Sequence, residues 1–158
     1  MQIQLLPSFE IPLEKIIELH KKSNLIHFLH GIQISTAHGE LKTKEELNRL
    51  AWNNGTKKSF CITKNGELCG RISFENSNSE SELFFWLVPE FRRQGIMTQA
   101  FKLGLLELEN MKSTKTNIFN VSCIKQNAEC IKFLTNFGFK KISTSSNNIQ
   151  KFAFEQKT

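Results

Sequence analysis

The sequence predicts a single α/β domain built on one mixed sheet of about seven strands, with about four helices, and three observations lead there. The first is the stretch Glu82–Ala100, ELFFWLVPEFRRQGIMTQA, which reads as an apolar strand, a turn, a pair of cations and then a helix. The second is Asn65-Gly66, a strong two-residue hairpin signal between the runs Ser59–Lys64 and Glu67–Glu75. The third lies downstream. There a strand over Thr116–Ile124 precedes a helix over Asn127–Phe137 that Gly138 stops, and a final strand pair, Phe139–Ser143 and Ile149–Phe154, flanks the loop TSSNN. A chain of 158 residues fits one domain and buries about two thirds of its unfolded surface.

Taken in order, residues 3–6 are short and apolar enough for an edge strand. Pro12 suits a first helical position, and Leu13, Ile16, Ile17 and Leu19 continue from it as a first helix. Ser23–Glu40 shows no clean period and predicts a loop or broken helix. Thr43-x-x-Glu46 then reads as a capping box opening a helix to about Trp52. The Asn65-Gly66 turn sets Ile62 opposite Cys69 and sends Cys61 to the other face. The polar run NSNSES, Asn76–Ser81, predicts a turn into the central strand Glu82–Val88, and Pro89, which has no N–H, ends that ladder. From Gly95 on, Met97, Phe101, Leu105 and Leu108 recur at helical spacing.

Composition narrows the function. The formal charge of +6 is spread over Lys21-Lys22, Lys57-Lys58, Arg92-Arg93 and Lys140-Lys141 with no stacking aromatics between them, which argues against nucleic-acid binding. No secretory segment opens the chain and no apolar run nears the roughly 20 residues of a membrane span, so a cytoplasmic protein is expected. Cys61, Cys69, Cys123 and Cys130 have no C-x-x-C spacing, which predicts reduced, mostly buried thiols and no zinc site. His27 and His30 are three apart without a third ligand, so no metal is expected there either.

The central stretch carries chemistry. A helix start leaves about four N–H groups unbonded and has a partial positive charge, so an anion is held there by hydrogen bonds and dipole together. Arg92 and Arg93 add charge, and Gly95 lets a diphosphate approach the backbone.

Arg92-Arg93-Gln94-Gly95-Ile96-Met97 resembles the Arg/Gln-x-x-Gly-x-Gly/Ala motif of the GNAT acetyltransferases except at its last place, where Met97 stands for a small residue. ELFFWL, PEF and GIMTQA resemble the EIGYWL, PEY and Gly-x-Ala-Thr-Glu-Ala pattern of the branch typified by the ribosomal-protein N-terminal acetyltransferases RimJ and RimL. Asn127, followed at helix length by Gly138-Phe139, is similar to that family's N-x-x-S/A…GF segment. The resemblance spans roughly residues 66–142, the expected acetyl-CoA-binding core of a domain covering 1–158. It leaves 1–60 as the acceptor side.

The resemblance implies a GNAT-like, mostly antiparallel sheet and transfer of an acetyl group from acetyl-CoA to a primary amine, on a protein N-terminus or a small molecule, by direct attack in a ternary complex. No metal is implied. The alternative is a non-catalytic acyl-CoA-binding protein or regulator. Arg92, Arg93, Gln94, Gly95, Ile96, Met97 and Thr98 would hold the diphosphate, strand amides of Leu87 and Val88 the pantetheine and acetyl oxygen, and Asn127 the pantetheine arm or, equally, the helix N-cap. A largely protonated amine needs a base, and Glu82 stands at the glutamate of EIGYWL; Glu75, Glu80 and His38 are weaker rivals. Many members place a tyrosine seven residues after the motif asparagine to protonate the leaving thiolate. This chain contains no tyrosine and has Leu134 there, which leaves Cys130, in the place of a serine, as candidate donor, with Ser122 behind it. The last strand pair offers a surface for a homodimer.

Overall fold

The computed structural model describes residues 1–23, 38–110, 117–145 and 147–156. Among them seven strands form one sheet in the order β1-β2-β3-β4-β5-β7-β6. The chain runs β1 (Ile3–Pro7), α1 (Leu13–Ser23), α2 (His38–Asn53), β2 (Lys57–Lys64), β3 (Glu67–Ser77), β4 (Glu80–Leu87), α3 (Ile96–Asn110), β5 (Ile118–Ile124), α4 (Ala128–Phe137), β6 (Lys140–Thr144) and β7 (Ile149–Glu155). All neighbouring strands pair antiparallel except β4 and β5, which run parallel. This is the mixed, mostly antiparallel sheet the sequence predicts. No helix among the described residues is long and apolar enough to cross a membrane.

Three local expectations are corrected. Thr43 does not cap a helix but lies inside α2, its hydroxyl donating to the Gly39 carbonyl four residues back at 3.1 Å. The capping-box pattern was thus satisfied by an interior back-bond, and α2 begins at His38; the preceding stretch, His27 and His30 with it, lies outside the described residues. The Asn65-Gly66 turn forms with both residues at positive φ, 50° and 85°. Its register, however, shifts between Ile62 and Thr63, so that Ile62 faces Gly70 and Cys69 is the extra residue of a bulge. Finally, NSNSES is mostly strand. β3 and β4 pair through Ser77↔Glu80, and only Asn78 (φ 54°) and Ser79 turn, because solvent-facing strand ends carry no apolar pattern.

Phenylalanine builds the core, 14 of them in the chain. Phe101 of α3 stacks on Phe74 of β3 at 6.2 Å and meets Phe119 edge-on at 5.7 Å and Phe137 of α4 at 4.5 Å. Helices α3 and α4 therefore cover one face of the sheet. On the other face His20 of α1 packs edge-on against Trp86, and Glu45 of α2 pairs with Arg71 of β3 at 2.7 Å. β4 thus has helices on both faces of the sheet.

Candidate active site

The sheet comes apart at its centre. β4 and β5 pair only over Glu80↔Ile118, Ser81↔Phe119 and Glu82↔Asn120. Beyond that last rung the two strands diverge, and a cavity of about 1230 Å³ opens between them. Leu83 to Leu87 form one wall, Val121, Ser122 and Cys123 the other, and the first turn of α4 closes one side.

Strand geometry decides which β4 amides face this cleft. Val88 N–H donates to the Cys69 carbonyl at 2.8 Å, and in an antiparallel ladder alternate residues direct their N–H and C=O to the same partner. Trp86 and Phe84 therefore point to β3. Leu83, Phe85 and Leu87 direct their amides toward β5; that of Leu83 closes the Glu82↔Asn120 rung, and beyond it Phe85 and Leu87 face the cleft, where β5 no longer answers them. Of the two amides expected from sequence, Leu87 faces the cleft and Val88 is spent on β3. Phe85 was missed, although the alternation from Val88 could have found it.

Pro89–Phe91 make one 3-10 turn, and Arg92 follows it with N–H bonded to the Pro89 carbonyl at 3.2 Å. Arg93 (φ 63°) and Gly95 (φ 76°) are both left-handed, and the chain enters α3 at Ile96. Space is not what demands glycine at 95, since a Cβ there would meet nothing within 4 Å; the backbone angle is. Gln99 N–H is bonded to the Gly95 carbonyl, which leaves the amides of Ile96, Met97 and Thr98 without acceptors inside the helix. All of Arg92, Arg93, Gly95, Ile96, Met97 and Thr98 line the cleft. Gln94 does not: its side chain is held outside by Lys64 and the Glu90 carbonyl. Met97 is buried in the core while still bordering the cavity, so its larger side chain is accommodated beneath the loop.

Arg92 and Arg93 behave differently. The Arg92 guanidinium is drawn inward, Nε donating to the Leu87 carbonyl at 3.4 Å and Nη2 buried with no hydrogen-bond partner. Burial holds it below its ordinary pKa. Arg93 is exposed and bonds Glu129 of α4 through Nε and Nη2, at 3.0 and 2.7 Å.

On the α4 side, Asn127 is the N-cap, its Oδ1 accepting the Cys130 N–H at 3.2 Å, while the residue also lines the cleft. Gly138 ends α4 in the left-handed conformation with φ 116°. Cys130, Ser122, Lys102, Lys132 and Gln126 line the cleft as well; the last three have no motif that sequence reading could have used. Glu82 does not reach it. With Glu75 and Glu80 it borders a second cavity of about 510 Å³, beside Lys57 and Asn120. Burial, with the Glu75 carboxylate opposite, raises the Glu82 pKa, and Lys151 opposes this. Leu134, where a tyrosine was looked for, is fully buried. No group of three or more metal-ligating side chains occurs among the described residues.

The family model for the acetyltransferase (GNAT) domain matches residues 16–140. No curated protein matches the chain by sequence. Among solved structures, RimL, a ribosomal L7/L12 alpha-N-protein acetyltransferase in complex with coenzyme A, superposes with a TM-score of 0.81 at 18% identity, over 99% of this chain and 95% of its own. The Salmonella typhimurium acetyl transferase that modifies the N-terminal serine of ribosomal protein L7/L12 gives 0.80 at 17%, over 99% and 96%. The microcin C7 self-immunity acetyltransferase MccE, in complex with acetyl-CoA and AMP, gives 0.78 at 18%, over 98% and 92%. At these identities the likeness is one of fold.

Proposed function

The chain belongs to the GNAT acetyltransferase family, and from that premise we propose that it transfers an acetyl group from acetyl-CoA to a primary amine, on a protein N-terminus or a small molecule, by direct attack in a ternary complex. The observation that carries this is at the end of the cleft. A buried Arg92 Nη2 without a partner lies beside three helix-start amides that also lack acceptors, and a buried donor left so costs about 1–3 kcal/mol unless a ligand answers it. A diphosphate supplies the matching acceptors.

When bound, acetyl-CoA supplies the activated acetyl thioester. The chain's own groups divide the remaining work. Ile96, Met97 and Thr98 amides with Arg92 and Arg93 hold the phosphates, and Phe85 and Leu87 direct N–H donors at the position of a carbonyl oxygen. Glu82, on the last β4–β5 rung and one residue from the cleft, takes the proton of the amine through water. Cys130, on the cleft wall, gives a proton to the departing sulfur. RimL and its Salmonella counterpart act on ribosomal protein N-termini, which supports an N-terminal amine as acceptor here.

A second reading, an acyl-CoA-binding protein without turnover, draws on one feature: the chain has no tyrosine, and Leu134 is packed into the core. Two measurements separate them. Acetyl-CoA at about 100 times its dissociation constant should stabilise the fold by roughly 2.7 kcal/mol, raising Tm by a few degrees. Release of free thiol with an amine acceptor then marks transfer; a thermal shift with no thiol release across N-terminal peptides and small amines supports the second reading, and no shift removes both.

A further inference from the structure

Four elements meet at one largely buried side chain, Arg71 of β3. Its Nη2 lies 2.7 Å from Oε1 of Glu45 on α2, and its Nη1 lies 3.1 Å from Nε2 of His20 on α1. Arginine has donors only, so the imidazole nitrogen accepts. The His20 ring in turn packs edge-on against Trp86 of β4, with ring centroids 5.3 Å apart. Arg71 and Trp86 are also direct partners across β3 and β4, so both side chains stand on the face that α1 and α2 cover. His20 is buried, and the Arg71 and Glu45 side chains are only 13% and 11% exposed.

Trp86 matters because of its place. It lines the cleft between Phe85 and Leu87, the two residues whose amides β5 no longer answers. On one edge the ladder to β3 holds β4; on the other, beyond Glu82↔Asn120, no strand does. A strand held along one edge is free to twist about it, which swings the N–H groups on the open edge. A side chain standing perpendicular to the sheet is the lever against that twist. Here the lever is the Trp86 ring, and Glu45, Arg71 and His20 brace it in sequence: Glu45 takes Nη2 and so aims Nη1 at His20. Directed bonds of this kind fix an orientation that apolar packing alone leaves free to slide.

We propose that Arg71 is a positioning residue for the transfer: held by Glu45 and acting through His20 on Trp86, it keeps the Phe85 and Leu87 amides aimed at the thioester oxygen. This rests on the acetyl-CoA reading of the cleft. The phosphates are gripped from other elements, by Arg92 and the first amides of α3, so the brace serves turnover and not cofactor affinity. A group misplaced by about 1 Å costs roughly 100-fold in rate, and an oxyanion donor lost outright costs about as much or more.

Two changes to the full chain test this. Arg71→Met is combined with Glu45→Leu, so that no buried carboxylate is left alone, and His20→Leu cuts the brace one link further on. All samples carry Trp52→Phe, which leaves Trp86 as the one tryptophan and its fluorescence anisotropy as a local reading. In both variants kcat for thiol release should fall by about 10- to 100-fold, the acetyl-CoA dissociation constant should stay within about threefold, and Trp86 anisotropy should drop. Wild-type kcat in a folded variant, unchanged anisotropy, or acetyl-CoA binding lost along with turnover overturns the proposal. Should the double variant not fold, His20→Leu carries the test alone. The reading beneath fails differently: a parent chain with no acetyl-CoA thermal shift, or with a shift and no thiol release, removes the transfer itself and the positioning role with it.

Discussion

Arg93 and Glu129 meet across the mouth of the cleft, the guanidinium Nη2 and Nε lying 2.7 and 3.0 Å from the same carboxylate oxygen. One partner belongs to the turn before α3 and the other to the first turn of α4, so the pair bridges two elements that flank the proposed anion site. Arg93 is 83% exposed on its side chain, and such a pair contributes about 0–1 kcal/mol to stability. Its larger effect is on charge, because Glu129 neutralises a cation at the place proposed for phosphate.

Glu129→Gln should therefore tighten acetyl-CoA binding, by roughly two- to fivefold at low ionic strength and less as salt rises, with thermal stability changed little. Titration calorimetry at two salt concentrations reads this directly. Affinity that does not move would mean that Arg93 stays with its carboxylate and leaves the phosphates to Arg92 and the helix amides.

A second prediction concerns Gly70, opposite Leu87 on β3. A Cβ added at Gly70 would collide with the Trp86 carbonyl and lie 2.8 Å from Leu87 Cδ2, so β4 must move where its amides line the cleft. Gly70→Ala is expected to lower stability by about 1–3 kcal/mol and to weaken acetyl-CoA binding as well. Denaturant melts and thermal shifts measured together check it; lost stability with unchanged affinity would separate the Leu87 amide from the binding site.

How far the sequence could be read follows from where each signal is written. The strand-turn-helix from Glu82 to Asn110 was legible because Pro89, Gly95 and an apolar period mark its joints locally. The seven strands were legible for the same reason. Register was not: the bulge at Cys69 lies next to Gly70, where a Cβ would collide with the Trp86 carbonyl, a contact between strands that no single strand announces. Gln94, inside the motif, is turned out by Lys64, 30 residues earlier, and Val88 gives its amide to Cys69, so membership of a motif did not determine which groups face the cavity.

Gly104 tests the aromatic core that holds α3 under the site. A Cβ there would lie 2.5 Å from Phe74 Cζ, in a ring cluster with Phe101 at its centre. Gly104→Ala should destabilise by about 1–3 kcal/mol despite alanine's better helix propensity, and Phe101→Ala by about 3–5 kcal/mol. Urea unfolding of both variants decides it. A Gly104→Ala protein more stable than wild type would mean that Phe74 has room to turn.

Glu82 and Asn120 form the last rung before β4 and β5 separate, which sets the final prediction. Burial raises the Glu82 pKa above its unfolded value, so the folded chain holds that proton more tightly than the unfolded one. Stability is then lost as pH rises from the unfolded value, about 4.3, through the folded one. Glu82→Gln removes a charge that the fold disfavours; it should match wild type near pH 3, where both side chains are neutral, and be the more stable protein at pH 7. Activity should move the other way. A base must be ionised, so wild-type kcat/KM should climb along an acid limb lying above the usual glutamate range, and E82Q should lose turnover and that limb together while keeping its acetyl-CoA thermal shift. Melting curves at both pH values with a pH–rate profile supply the readings. Full turnover in E82Q would remove Glu82 as the base, whereas lower stability at pH 7 would show that Lys151, which opposes the shift, outweighs burial.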